Sequence, residues 1–175
     1  MADRVLGVDL GLKSTGICLL GGMNKGLYSE AFGIVKATKE KKFIEYIDAY
    51  LLFNSAQDNY GHLESFIVQS DIVILEKPFN IMGHGRMLLE LMGIIKYLII
   101  KHKRPYVQVS QMTLKKFATG NGHAEKSGMV IQAFKEFKFE AKTEDEVDAF
   151  WLVKMGQCIL NPKGFNKVRI EASKK

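Results

Sequence analysis

The chain has 175 residues, 47% of them hydrophobic and 25% charged, with a formal net charge of +6. That length suits one domain rather than two, and the balance excludes a disordered chain and predicts a packed core. The positive charge favours an anionic partner, nucleic acid ahead of an acidic surface. The two cysteines, Cys18 and Cys158, lie in apolar runs; they read as small buried hydrophobes of a reducing compartment and offer no Cys/His spacing for zinc.

The opening stretch RVLGVDLGLKSTGICLL predicts a hairpin, with strands over 4–9 and 16–20 and a turn at Gly11-Leu12-Lys13-Ser14-Thr15-Gly16. Gly21 to Gly26 is a second turn cluster, and Leu27 to Lys36 reads as a third strand. From Thr38 the period becomes helical. Phe43, Ile44, Ile47, Tyr50, Leu51, Leu63, Phe66 and Ile67 predict a long amphipathic helix to about Gln69, kinked or split at Asn59-Tyr60-Gly61. Asp71 to Glu76 is a short apolar strand, stopped by Pro78. A loop with Gly83 and Gly85 leads to a helix from Arg86 to about Lys101. This helix contains Glu90 and Lys96 and falls short of a membrane span.

Tyr106 to Val109 is a fifth strand. Helices follow over Gln111 to Ala118, Glu125 to Phe137 and Glu144 to Ile159, and the tail from Pro162 reads as basic and loose. Three hairpin-joined strands followed by helix–strand–helix–strand–helices predict one α/β domain. Its mixed five-stranded sheet has three antiparallel and two parallel strands, flanked by helices. With no signal peptide and no membrane span, the protein is expected to be soluble and cytoplasmic.

Acidic residues stand where this chain should leave its core. Asp9 interrupts the apolar first strand near its end, and an isolated carboxylate there must either go neutral or find a cation. Glu76 ends the fourth strand. Asp145 and Asp148, at i and i+3, share a face of the last long helix, whose Thr143-Glu144-Asp145-Glu146 start has capping-box spacing. Acids early in a helix also serve its dipole, which is the reading for Glu144 and Glu146. If strands one and four are neighbours, Asp9 and Glu76 emerge side by side, and a helix across the sheet adds the two aspartates. Such a set needs hard divalent cations, Mg²⁺ or Mn²⁺. Two ions about 4 Å apart suit in-line attack of water on a phosphodiester.

Four motifs then carry a resemblance. LGVDLGLKSTG, VILEKPF, TGNGHAEKSGMV and DEVDAFWL, in this order over roughly residues 4–158, resemble the RuvC family of Holliday-junction resolvases. The resemblance implies a ribonuclease H-like nuclease domain over residues 1–160, followed by a basic tail over 161–175. It implies a homodimer that nicks two opposed strands of a four-way DNA junction or other branched DNA. Mg²⁺ would be the cofactor, with Mn²⁺ able to substitute and two ions per site. The family's acidic tetrad falls on Asp9, Glu76, Asp145 and Asp148. Phe79 matches an aromatic that stacks on unpaired bases. Lys115 and Lys126 match lysines near the scissile phosphate, with Lys116 beside them as a further DNA contact.

The chain departs from the family pattern at Leu10, where proline is common, at Lys77-Pro78, at Gly83-His84-Gly85 and at His123. These positions flank the strand-contacting loops, bear on sequence preference and junction selectivity, and suit a phage-encoded member. His84 and His123 read as surface residues.

The helix over Met87–Ile100 is apolar almost all round, which suits a two-fold partner; Ile95 is taken as an outward position. The rival readings keep the fold with a structured-RNA substrate, or make the chain a non-catalytic module that binds branched DNA. A nucleotide cofactor is not expected. Glu125 stands where a P-loop needs glycine, and the Gly7-Val8-Asp9-Leu10-Gly11 loop of actin-like ATPases needs two domains that 175 residues do not supply.

Overall fold

Strand β1 (Val5–Asp9) lies inside a mixed sheet. It runs antiparallel to β2 (Ser14–Leu20) and parallel to β4 (Ile72–Glu76). With β3 (Ser29–Lys36) beside β2 and β5 (Tyr106–Val109) beside β4, the order is β3-β2-β1-β4-β5. The structure is a computed structural model and describes residues 4–11, 14–21, 29–36, 63–78, 85–141 and 143–174. The helices are α1 (Leu63–Gln69), α2 (Gly85–Lys101), α3 (Gln111–Thr119), α4 (Lys126–Phe137), α5 (Glu144–Leu160) and α6 (Lys167–Ser173). The expected long helix is described only from Leu63; its earlier part and the turn after Gly21 lie outside the described residues. None of the described helices is long and apolar enough to cross a membrane.

The two-residue period of the strands divides the core into two layers. Leu6, Val8, Ile17, Leu19, Val73 and Leu75 face α1 and α2, where they meet Phe66, Ile67, Leu91, Met92, Ile95 and Ile99. Val5, Cys18, Leu20, Ile72 and Ile74 face the other way, onto α3, α4 and α5. Both faces of the central strands are therefore covered, which is why they read as nearly continuous apolar runs. Cys18 and Cys158 are free and buried, as their apolar settings suggest.

Helix α5 is buried almost all round from Glu146 to Cys158. Its Phe150 stacks on Phe139 at 4.2 Å between ring centroids, and its Trp151 meets Phe117 and Phe137 edge-on. Two glycines let this helix lie against the strands: a Cβ on Gly7 would overlap the carbonyl oxygen of Ala149, and one on Gly16 that of Asp145.

Two expectations are corrected. Ile95 is not outward: it is fully buried in the chain's own core. Leu91, Met92, Ile95, Leu98 and Ile99 form a single helical stripe with Ile95 at its centre, and among the described side chains of this helix the apolar surplus left exposed is Leu89, Tyr97 and Ile100. The tail is not loose. Asn166 caps α6 by accepting a hydrogen bond from the Arg169 amide, and both Arg169 and Ala172 are buried.

Candidate metal centre and active site

The strand period places Gly7 and Asp9 on the same face as Val5, and Glu76 on the same face as Ile72 and Ile74; that is the face covered by α5. The parallel register pairs Val8 with Leu75, so the next residue on each strand, Asp9 and Glu76, emerges beside the other. The chain is held just beyond both. Buried Thr15 accepts a hydrogen bond from the Gly11 amide and donates one to the Gly11 carbonyl, closing the turn after Asp9. After Glu76, the Lys77 amide donates to the Val109 carbonyl at 2.7 Å.

Helix α5 supplies the third acid. Thr143 caps it, its hydroxyl accepting from the Glu146 amide at 3.3 Å. The contacts at Gly7 and Gly16 seat its first two turns on β1 and β2. Carboxylate oxygens of Asp9, Glu76 and Asp148 consequently lie within 4.8 Å of one another. Asp145, one turn earlier on α5, stands outside that group of three but acts on it: its charge helps raise the pKa of both Asp9 and Asp148.

The electrostatics follow from burial of like charges. Asp9 is pushed up to about 7, first by loss of solvent and then by the charges of Asp148 and Asp145. Glu76 is pushed up to about 8 by burial, Asp9 and Asp148. Asp148 is raised mainly by burial, against the pull of Lys126. One Glu76 oxygen, Oε2, is buried with no hydrogen-bond partner among the described residues. An unsatisfied buried acceptor beside two further carboxylates is an all-oxygen donor set short of positive charge. It fits a hard divalent cation, which takes oxygen ligands and removes the repulsion.

Lys126, the first residue of α4, sits 3.0 Å from Asp148 Oδ2 and 3.6 Å from Glu144 Oε2. Burial acts to lower its pKa, but the charge and hydrogen bond of Asp148 prevail and the net shift is upward. Lys115 on α3 lies near enough for its charge to lower Glu76 and Asp148. Lys116 is exposed next to it. Phe79 and the Gly83-His84 loop lie outside the described residues. His123 is exposed, and its backbone amide donates to Asn121 Oδ1.

Sequence reasoning missed two contributors. Glu144 reaches Lys126, and its i, i+4 spacing to Asp148 was the available signal that both lie on one helix face. Thr15 had no signal beyond its place in a turn.

No known protein-family pattern matches the chain. Among solved structures it is similar to Thermus thermophilus RuvC, with a TM-score of 0.65 and 14% sequence identity over 86% of this chain and 90% of that one. It is also similar to T. thermophilus RuvC in complex with a Holliday junction substrate, with a TM-score of 0.67, 15% identity and the same 86% and 90% coverage. At such identities the likeness is one of fold alone, a mixed sheet flanked by helices.

Proposed function

We propose that the chain is a metal-dependent endonuclease that nicks branched DNA, four-way junctions first, and acts as a homodimer with one site for each of two opposed strands. The observation that carries this reading is the convergence of Asp9, Glu76 and Asp148 from β1, β4 and α5 to within 4.8 Å, with a lysine 3.0 Å from one of them. The RuvC-like fold, and the Holliday junction bound by one of those neighbours, support the choice of substrate.

In this reading Asp9, Glu76 and Asp148, with Asp145 behind them, hold the divalent cations: Mg²⁺, with Mn²⁺ able to substitute, about two per site. When bound, such ions supply an activated water and neutralise charge on the phosphate. The chain's own residues do the rest. Burial and mutual repulsion hold Asp9 and Glu76 above the usual carboxylate range, so both would give up bound protons on becoming ligands. Lys126 stands at the edge of the carboxylates, where its ammonium group counters charge on the scissile phosphate. Lys115 and Lys116 neutralise neighbouring phosphates, so affinity falls steeply with salt whatever the base sequence. Phe79 stacks on a base unpaired at the crossover.

The test is one set of labelled substrates: a four-way junction, a Y-fork, a duplex and an RNA hairpin, each with and without Mg²⁺. Paired symmetric nicks on the junction are expected. Cutting confined to RNA would select a structured-RNA nuclease, and binding without cutting a passive branched-DNA-binding module. Asp9→Asn should abolish nicking and leave junction binding intact or tighter; persistent Mg²⁺-dependent nicking by that variant removes Asp9 from the site.

A further inference from the structure

The last turn of an α-helix leaves carbonyls without partners inside the helix. In α3 these are the carbonyls that follow Lys115. The Lys116 carbonyl accepts from the Gly120 amide at 2.8 Å. The next two are taken by a side chain from the far end of the sequence: Arg169 Nε donates to the Phe117 carbonyl at 3.0 Å, and Nη2 donates to the Ala118 carbonyl at 3.2 Å. The other edge of the same guanidinium binds Glu136, near the end of α4, with Nη1 to Oε2 at 2.5 Å and Nη2 to Oε1 at 2.8 Å. Its flat face lies over the Trp151 ring of α5 at 4.9 Å, and the Arg169 side chain is 7% exposed. Trp151 in turn donates from Nε1 to the Met129 carbonyl of α4 at 3.1 Å. Three helices thus converge on one planar, five-donor group, a role that lysine's point charge does not reproduce.

Two of those helices, α3 and α4, carry the cationic half of the site. Lys115 is on α3, two residues before the first carbonyl that Arg169 binds. Lys126 opens α4, ten residues before Glu136. The carboxylates come from β1, β4 and α5, and their mutual placement is fixed by the strand register and by the glycine contacts of α5. Arg169 makes no hydrogen bond to any of them.

We infer that Arg169 is a positioning residue for the nicking reaction: from α6 it locks α3 and α4 together and so sets Lys115 and Lys126 against the carboxylates. This rests on the nuclease reading above. It makes the C-terminal helix a requirement for strand scission and not for divalent-cation binding. A misplacement of about 1 Å in a group aligned with a reacting phosphate is worth about 100-fold in rate, so a helix that shifts slightly without unfolding is enough.

The experiment uses the full chain as parent, Arg169→Met, Arg169→Lys and the double variant Arg169→Met/Glu136→Gln. The double variant removes the partner charge that the single change would strand. Four readouts are taken: folding by circular dichroism, Mn²⁺ affinity by calorimetry, single-turnover nicking of a four-way junction at saturating Mg²⁺ and DNA, and the salt dependence of junction binding.

Folded variants are expected to bind Mn²⁺ at least as tightly as the parent while nicking falls about 100-fold. The slope of log affinity against log salt should become shallower by about 1. Arg169→Lys should not restore the rate. A folded Arg169→Met chain with parental rate and salt slope overturns the inference, as does Mn²⁺ affinity falling in step with rate, or failure of both methionine variants to fold. A parent chain that nicks no branched substrate is a different result: it removes the nuclease reading itself, and this inference with it.

Discussion

Lys126 Nζ lies 3.0 Å from Asp148 Oδ2, the lysine side chain 32% exposed and that of the aspartate 6%. The protein therefore has a cation of its own at the edge of a cluster of carboxylates that repel one another. Lys126 relieves part of the repulsion: its charge pulls the pKa of Asp9, Glu76 and Asp148 downward, while burial and the neighbouring acids push them up and prevail. The relief is incomplete, which leaves the site short of positive charge.

Lys126→Met tests that relief. Removing the lysine strands Asp148 among acids, and because the lysine is partly solvated the cost to the metal-free fold should be about 1 kcal/mol rather than that of a fully buried pair. Saturating Mg²⁺ should recover most of that loss, while nicking stays at least about 100-fold below the parent because the charge facing the phosphate is gone. Urea denaturation with EDTA and with Mg²⁺, beside a nicking assay, measures both. Equal destabilisation in the two conditions would mean that lysine and divalent ion do not serve the same carboxylates.

The raised carboxylates also make stability depend on pH in an unusual direction. Asp9 moves from 3.8 to about 7 and Glu76 from 4.5 to about 8. Between these limits the folded chain holds protons that the unfolded chain has lost, so stability falls as pH rises. In EDTA the two groups favour the fold most fully below about pH 4, and their contribution should shrink progressively up to about pH 8. Asp9→Asn, which cannot ionise, should flatten the profile and be more stable than the parent at pH 8. Mg²⁺ should reverse the order by favouring the ionised parent. Denaturation midpoints at pH 5 and pH 8, with and without Mg²⁺, give all four comparisons; a metal-free parent that gains stability toward pH 8 contradicts the proposed repulsion.

What the sequence made legible follows from which interactions are local. The hydrophobic period marked β1, β4, β5 and helices α2 to α5 nearly to their ends, and a carboxylate inside an apolar strand singled out Asp9. Glu76 and Asp148 could be paired with Asp9 only by supposing that two strands were neighbours, and the parallel register of Val8 with Leu75 is the contact behind that supposition.

The errors arose where tertiary partners decide. Ile95 looked surplus because a helix with apolar residues on every side does not reveal which stripe its own sheet covers. Helix α6 looked like a solvated tail because it has seven residues and a basic lead-in; what holds it is distant in sequence, with Ala172 in the core and Arg169 reaching Glu136, more than thirty positions away. Asp145 was chosen with Asp148 for their shared helix face; it is not among the three acids whose oxygens converge, and its charge acts on Asp9 and Asp148.

Glycine substitutions test how α5 delivers Asp148. Gly7→Ala places a methyl group against the Ala149 carbonyl, between a central strand and a buried helix, where neither backbone has room to yield. It should cost about 1–3 kcal/mol and weaken Mn²⁺ binding by displacing Asp148 from Asp9. Gly93→Ala is the converse case. Gly93 is exposed in the middle of α2, nothing lies within 4 Å of an added Cβ, and the change should stabilise the fold by about 0.5–1 kcal/mol with Mn²⁺ affinity untouched. Thermal melts and calorimetry on both variants suffice. Unaltered ion affinity in a folded Gly7→Ala chain would show that the seat of α5 does not set the metal site.

The expected homodimer can be tested on α2 once the orientation of that helix is known. Leu89, Tyr97 and Ile100 are 53%, 65% and 62% exposed, and with Gly93 they follow one another at helical spacing as a single outward stripe. Ile95 points the opposite way and is fully buried. Ile95→Asp should therefore unfold the chain, since an unpaired carboxylate in that core costs more than about 4 kcal/mol. Any loss of assembly in that variant would say nothing about an interface. Leu89→Asp and Ile100→Asp should leave the fold within about 0.5 kcal/mol of the parent, because each replaces a side chain already half in water. If two copies meet along this stripe, the same changes should convert the sedimentation profile from dimer to monomer and reduce paired nicking of a junction to single nicks. A Leu89→Asp chain that sediments as the parent does and still nicks both strands together would place the dimer contact elsewhere on the surface.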